Sequence, residues 1–153
     1  MHKFNDNRGR EWLVKLTFGA VKRVKELLSV DLLDPVAGND PLLTKIGTDI
    51  AFLCDLIFVL VKPQADEANI SDVEFGESLG GDAIAKAASA LYEELIDFFR
   101  ELGRKDVAQA VVAQLTLIEK VINQAEKRIT TLDIDKLVNE SMPGSLYTSL
   151  PES

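Results

Sequence analysis

The side chains best equipped to make or break bonds are few: one histidine (His2), one cysteine (Cys54), and the carboxylates of Glu93, Glu94 and Asp97. A serine or cysteine nucleophile needs a rigidly held base beside it. His2 lies in the polar opening Met1-His2-Lys3-Phe4-Asn5-Asp6, next to a flexible start, and offers no such base. Zinc sites made of histidine and cysteine need several of each, and here each occurs once, far apart. The sequence contains no Walker phosphate loop, dinucleotide glycine fingerprint or aspartate-rich calcium loop. These readings predict no catalytic residues, no cofactor and no metal.

Four features need a structural and a functional reading side by side. Glu93 and Asp97 stand one helical turn apart, and paired carboxylates can share a proton or hold a metal. A di-iron bundle would need a second acidic helix with a Glu-x-x-His pair, which the sequence lacks, so a solvated acidic face is expected. Gly80-Gly81-Asp82 could present backbone N–H groups to an anion. The expected reading is a tight turn with Asp82 capping the helix that follows, where the acid itself fills the anion position. Asp55, amid Leu53, Cys54, Leu56 and Ile57, either marks the wet side of an apolar helix or pairs with a base. Cys54 sits in the same run, beside an acid rather than a base, and is expected to be buried and unreactive.

The elements that must position these groups follow from spacing. Phe4, the turn Asn5-Asp6-Asn7-Arg8-Gly9, and the alternation of Trp12, Val14 and Leu16 with Glu11, Leu13 and Lys15 predict a β-hairpin over 1–16. Such a hairpin is marginal alone and must lean on other elements. Thr17 is placed to cap a helix to about Ser29, with Phe18, Val21, Val24 and Leu28 inward. A loop over Val30 to Asp40 precedes a short helix from Pro41 to near Gly47. Thr48 is expected to cap the next helix, Asp49 to Lys62, apolar almost all round and therefore central. Pro63 opens a further turn, and Ser71-Asp72-Val73-Glu74 is a capping box before a short helix to Leu79.

From Asp82 apolar residues fall at Ile84, Ala88, Leu91, Leu95, Phe98 and Leu102, ending at Gly103; from Asp106 they resume at Val111, Leu115, Ile118, Ile122, Ala125 and Ile129. Two such seams predict a long antiparallel helical hairpin. Asp133 to Asn139 reads as a short helix, and Glu140 to Ser153 as a flexible tail. The expected fold is thus mainly α: an N-terminal β-hairpin packed on a helical bundle over 1–130, followed by 131–153 as short helix and tail.

The 153 residues suit one domain, and 46% apolar with 27% charged residues is the balance of a folded chain. Seventeen basic residues against twenty-five acidic ones give a net charge of -8, a field that repels nucleic acid and anionic lipid. The longest apolar stretch, Ile50 to Val61, is interrupted by Asp55 and falls short of the ~20 residues needed to cross a bilayer. One cysteine and a polar start predict a cytoplasmic location. Partners are expected to be protein. The matched heptad seams could also serve between copies of the chain as a homo-oligomer.

Trp12 is the first candidate contact. On a hairpin it either packs into the core or forms a binding hot spot, and the hairpin edges permit strand addition. Phe4-Asn5-Asp6 with Gly9-Arg10-Glu11-Trp12, Val30-Asp31-Leu32-Leu33, Pro63-Gln64-Ala65, Phe75-Gly76-Glu77-Ser78-Leu79, Gly81-Asp82-Ala83-Ile84, and Ala87 to Leu91 leading into Leu95-Ile96-Asp97-Phe98-Phe99 together resemble the tail assembly chaperones of tailed phages and prophages. The resemblance covers roughly residues 4 to 100. It implies a non-enzymatic protein of the bacterial host cytoplasm. Such a protein holds the tape-measure protein in solution and recruits tail-tube subunits during tail morphogenesis. Candidate protein-binding residues are Trp12, Val14, Phe18, Phe99, Leu137, Leu146 and Tyr147. One alternative is a structural virion or adaptor protein that remains in the assembled tail; another is an enzyme using acidic residues around a metal.

Overall fold

The computed structural model describes residues 2–120. The expected helix at 133–139, the tail and the boundary after residue 130 lie outside them. The packing set out below belongs to the compact unit Met1–Leu115, and a second unit begins at Thr116.

The hairpin pairs β1 (His2–Asn5) antiparallel with β2 (Glu11–Val14), setting His2 opposite Val14 and Phe4 opposite Trp12. Residues directly opposite in such a pair share a face. His2, Phe4, Trp12 and Val14 therefore all look toward the helices, and Phe4, Trp12 and Val14 are buried there. Gly9, with φ +78°, closes the turn in a region that side chains with Cβ disfavour.

Helix α1 (Phe18–Leu28) starts at Thr17, whose hydroxyl accepts the Ala20 N–H, and stops at Ser29 in the left-handed conformation. Its inward face is Ala20, Val21 and Val24, with Leu28 half-buried. Phe18, expected inward, is instead 57% exposed, because the first helical residue stands at the rim of that face. Helix α2 (Leu42–Thr48) follows the loop. Asp49, rather than Thr48, caps α3 (Ile50–Glu67): its carboxylate accepts the Phe52 N–H, while the Thr48 hydroxyl donates back to the Thr44 carbonyl.

Helix α3 is the central element, packed against α1, α2, α4, α5 and β2. One line of it, Ala51, Asp55 and Asp66, meets water, so Asp55 marks the wet side. The helix also continues through Pro63, which was expected to end it. Proline lacks the N–H that would reach the Val59 carbonyl one turn back. Arg23 of α1 replaces it, donating Nε to the Val59 oxygen at 2.8 Å and Nη2 to the Leu60 oxygen at 3.2 Å.

The serine half of the capping box forms as expected, with the Ser71 hydroxyl accepting the Glu74 N–H at the start of α4 (Asp72–Glu77), while the Glu74 carboxylate is taken by Arg8 and Arg10. A six-residue helix cannot persist on its own propensity. Phe75 anchors it: fully buried, it meets the Trp12 ring edge-on at 5.0 Å and the Phe58 ring at 5.3 Å. Burial of that size contributes ~1.5–3 kcal/mol.

Helix α5 (Asp82–Glu101) is capped by Gly81 at φ +62°, with no side-chain cap bond, so Asp82 is its first residue and not its cap. Its charge still complements the helix N-terminus. Gly103, at φ +76°, reverses the chain, and the Arg104 N–H closes back on the Phe99 carbonyl. Residues 105–120 are helical. Within the first unit they return along α5: Val107, Ala108 and Val111 are buried, and Val112 lines one cavity with Ile96 and Arg100.

Candidate functional site

Of the seven candidate contact residues, four lie among the described residues, and three of those belong to the core. Trp12 is 3% exposed and Val14 and Phe99 are fully buried, so a partner meeting the folded chain does not reach them. Their large apolar surfaces are already covered by the chain itself, which corrects the expectation that they serve as contacts. Phe18 alone is exposed. Its ring rests edge-on against Phe98 at 5.9 Å, and Leu102, 41% exposed, follows one turn on from Phe98. Leu137, Leu146 and Tyr147 lie outside the described residues.

Trp12 has a structural duty instead. Its indole N–H donates to Asp6 Oδ2 at 2.9 Å. Asp6 is enclosed, and also accepts the N–H groups of Arg8 and Arg10 on Oδ1 and Arg10 Nε on Oδ2. Arg10 goes on to Glu74 at 3.1 Å and to the Ser78 hydroxyl at 2.8 Å, tying the turn to α4. Burial pushes the Asp6 carboxyl up, but the bonds from Trp12, Arg10 and the two backbone N–H groups outweigh it and hold it below the usual aspartate value.

The reactive groups gather at the open end of the hairpin, away from the turn. Glu93, Glu94 and Asp97 occupy one face of α5 through their three- and four-residue spacing, and β1 lies across that face. His2 donates to Asp97 Oδ2 from Nε2 at 2.8 Å. The same nitrogen stands 4.0 Å from Glu94 Oε1, and Nδ1 stands 3.7 Å from Glu93 Oε2. Glu94 is 5% exposed, and its Oε2 accepts the Leu16 N–H at 2.8 Å, where the strand ends and a backbone donor would otherwise be stranded. A cavity of about 200 Å³ adjoins the group, lined by His2, Glu93, Ile96, Asp97, Arg100 and Val112.

Two expectations change here. The acids do not form only a solvated face, since Glu94 is inside and all three converge on an imidazole. Nor is His2 a loose terminal residue, because β1 pairing fixes it. The missed signal was the phase of the strand: His2 is two residues before Phe4 and must share its inward face.

The remaining candidates are structural. Cys54 is half-buried, and burial together with the neighbouring Asp55 charge pushes its thiol above the ordinary value, away from reactivity. Gly80 lends its carbonyl to the Asn7 amide rather than N–H groups to an anion. Among the described residues no helix is long and apolar enough to cross a membrane. Comparison with family models, curated proteins and solved structures finds no match to the chain.

Proposed function

We propose that this chain works by holding another protein, as an assembly chaperone of the tailed-phage kind whose client is an elongated, helical, tape-measure-like protein. The observation that carries this reading is the Phe18–Phe98–Leu102 patch, where an aromatic ring 57% exposed and a leucine 41% exposed flank a buried phenylalanine. Two large apolar side chains left in water beside a ready-made apolar floor suit the face of an amphipathic helix. The net charge of -8 keeps a complex with an aggregation-prone client dispersed. The motif residues behind the resemblance (Asp6, Arg10, Trp12, Gln64, Phe75, Ser78) also support it indirectly, since they are the ones that knit the hairpin to α3 and α4.

Co-expression of the full chain with a tape-measure protein, followed by affinity capture of the chain, tests the reading. The client is retained by the wild type, and Phe18→Ser with Leu102→Ser lowers retention about tenfold, roughly 1.4 kcal/mol. A wild-type chain that never retains the client removes the chaperone reading; undiminished retention by the double variant removes the patch. Recruitment of tail-tube subunits is the second part of the role and is read in the same capture. Mass spectrometry of finished particles separates the alternative, since a chaperone leaves the assembly and a structural adaptor stays.

A further inference from the structure

We propose that His2, Glu94 and Asp97 form a binding site for one divalent cation of the zinc class, which clips the hairpin to α5. One nitrogen and two carboxylate oxygens, one per residue, already lie within 4.8 Å of one another. Ligand atoms at ~2.0–2.1 Å from a tetrahedral ion are themselves ~3.3 Å apart. The pairs from His2 Nε2 are 2.8 Å to Asp97 Oδ2 and 4.0 Å to Glu94 Oε1, so they bracket that spacing. An imidazole together with carboxylates selects a first-row transition cation or zinc over calcium and magnesium, which take oxygen.

Three features make this more than a group of surface acids. The ligands come from two elements, β1 and α5, and the strand pairing fixes the histidine. Glu94 is inside the fold, and the Leu16 N–H bond on Oε2 turns Oε1 toward the imidazole. Glu93 Oε2 faces the other ring nitrogen at 3.7 Å, the position of the carboxylate that orients a metal-bound histidine. The proton is accounted for. Without the ion Nε2 carries it toward Asp97; on binding it leaves Nε2 and is taken up through solvent at Nδ1, where it faces Glu93. Three protein ligands leave a fourth position for water from the adjoining cavity.

The full chain, stripped with chelator and dialysed, is titrated with Zn²⁺ by calorimetry, and Co²⁺ is added in parallel for its visible absorption. Binding of one ion per chain, tetrahedral Co²⁺ bands and a thermal midpoint that rises with Zn²⁺ are expected. His2→Gln and Asp97→Asn, both at partly exposed positions, each weaken binding at least tenfold. Glu93→Gln weakens it about tenfold with the bands retained, as for a positioning residue. Circular dichroism verifies that each variant is folded. Stoichiometric binding that Asp97→Asn leaves unchanged places the ion elsewhere, for instance on the chain terminus, and overturns the site. So does binding no tighter than that of the double variant His2→Gln/Asp97→Asn.

Discussion

Asp6 answers four donors with two oxygens, the Arg8 and Arg10 N–H groups on Oδ1 and the Arg10 Nε and Trp12 Nε1 on Oδ2. Asp6→Ala leaves Arg10 and Trp12 without their acceptor in an enclosed place, and is expected to cost ~3–5 kcal/mol in urea unfolding. Asp6→Asn keeps the two backbone bonds but turns an NH₂ toward two donors, so it is expected to recover less than half of that loss. At this scale the sequence was partly legible. The run Asn5-Asp6-Asn7-Arg8-Gly9 announced a turn by its residue types, and the turn is there. The role of Asp6 was hidden because the arginine it orients reaches Glu74 and Ser78, more than sixty positions on. The same distance hid His2: its partners lie on α5, and only the alternation of β1 hinted at its direction.

Among the elements, α3 and α1 are coupled by a proline. Pro63 leaves the Val59 carbonyl without its helical donor, and Arg23 supplies one from the neighbouring helix. Arg23→Met keeps much of the stem's packing and removes both bonds, and is expected to cost ~1–3 kcal/mol. Pro63→Ala restores the internal N–H, so in that background the same arginine change costs at least ~0.5 kcal/mol less. A double-mutant cycle by thermal or urea unfolding reads the coupling; additive effects would mean that the arginine does not stand in for the missing donor. Helix positions were legible because the apolar period and caps such as Thr17 and Ser71 act locally. The end of α3 was not, because a proline stops a helix only when no outside donor serves the carbonyl it abandons. The exchange of Thr48 for Asp49 as cap is a choice between neighbours, both competent, that packing decides.

Over the whole molecule, stability as a function of pH is bounded by Asp6 on the acid side and by Cys54 and Tyr92 on the alkaline side. Asp6 is held low, so its stabilisation is complete above about pH 4, the unfolded value, and is lost as pH falls through the lower folded one. Cys54 and Tyr92 are both pushed up, chiefly by burial, so their contributions are complete below about pH 8.5 and about pH 10 respectively, the unfolded values, and are lost as pH rises through the higher folded ones. Thermal midpoints are expected to stay flat between those limits. Cys54→Ala and Tyr92→Phe together should remove most of the alkaline fall, and Asp6→Asn most of the acid dependence; unchanged slopes would show that other groups set the limits. The mainly helical character and the hairpin leaning on helices could be read from periodicity, whereas burial of Trp12, Val14 and Phe99 could not, since the period of a strand or helix gives a side but not its cover. One such cover has a consequence for assembly. The Gln64 side chain bonds both the N–H and the carbonyl of Leu13, taking the outer rim of β2 as a neighbouring peptide would. Growth of the sheet at that point is thereby blocked: a strand adding to β2 must first displace the Gln64 amide from Leu13.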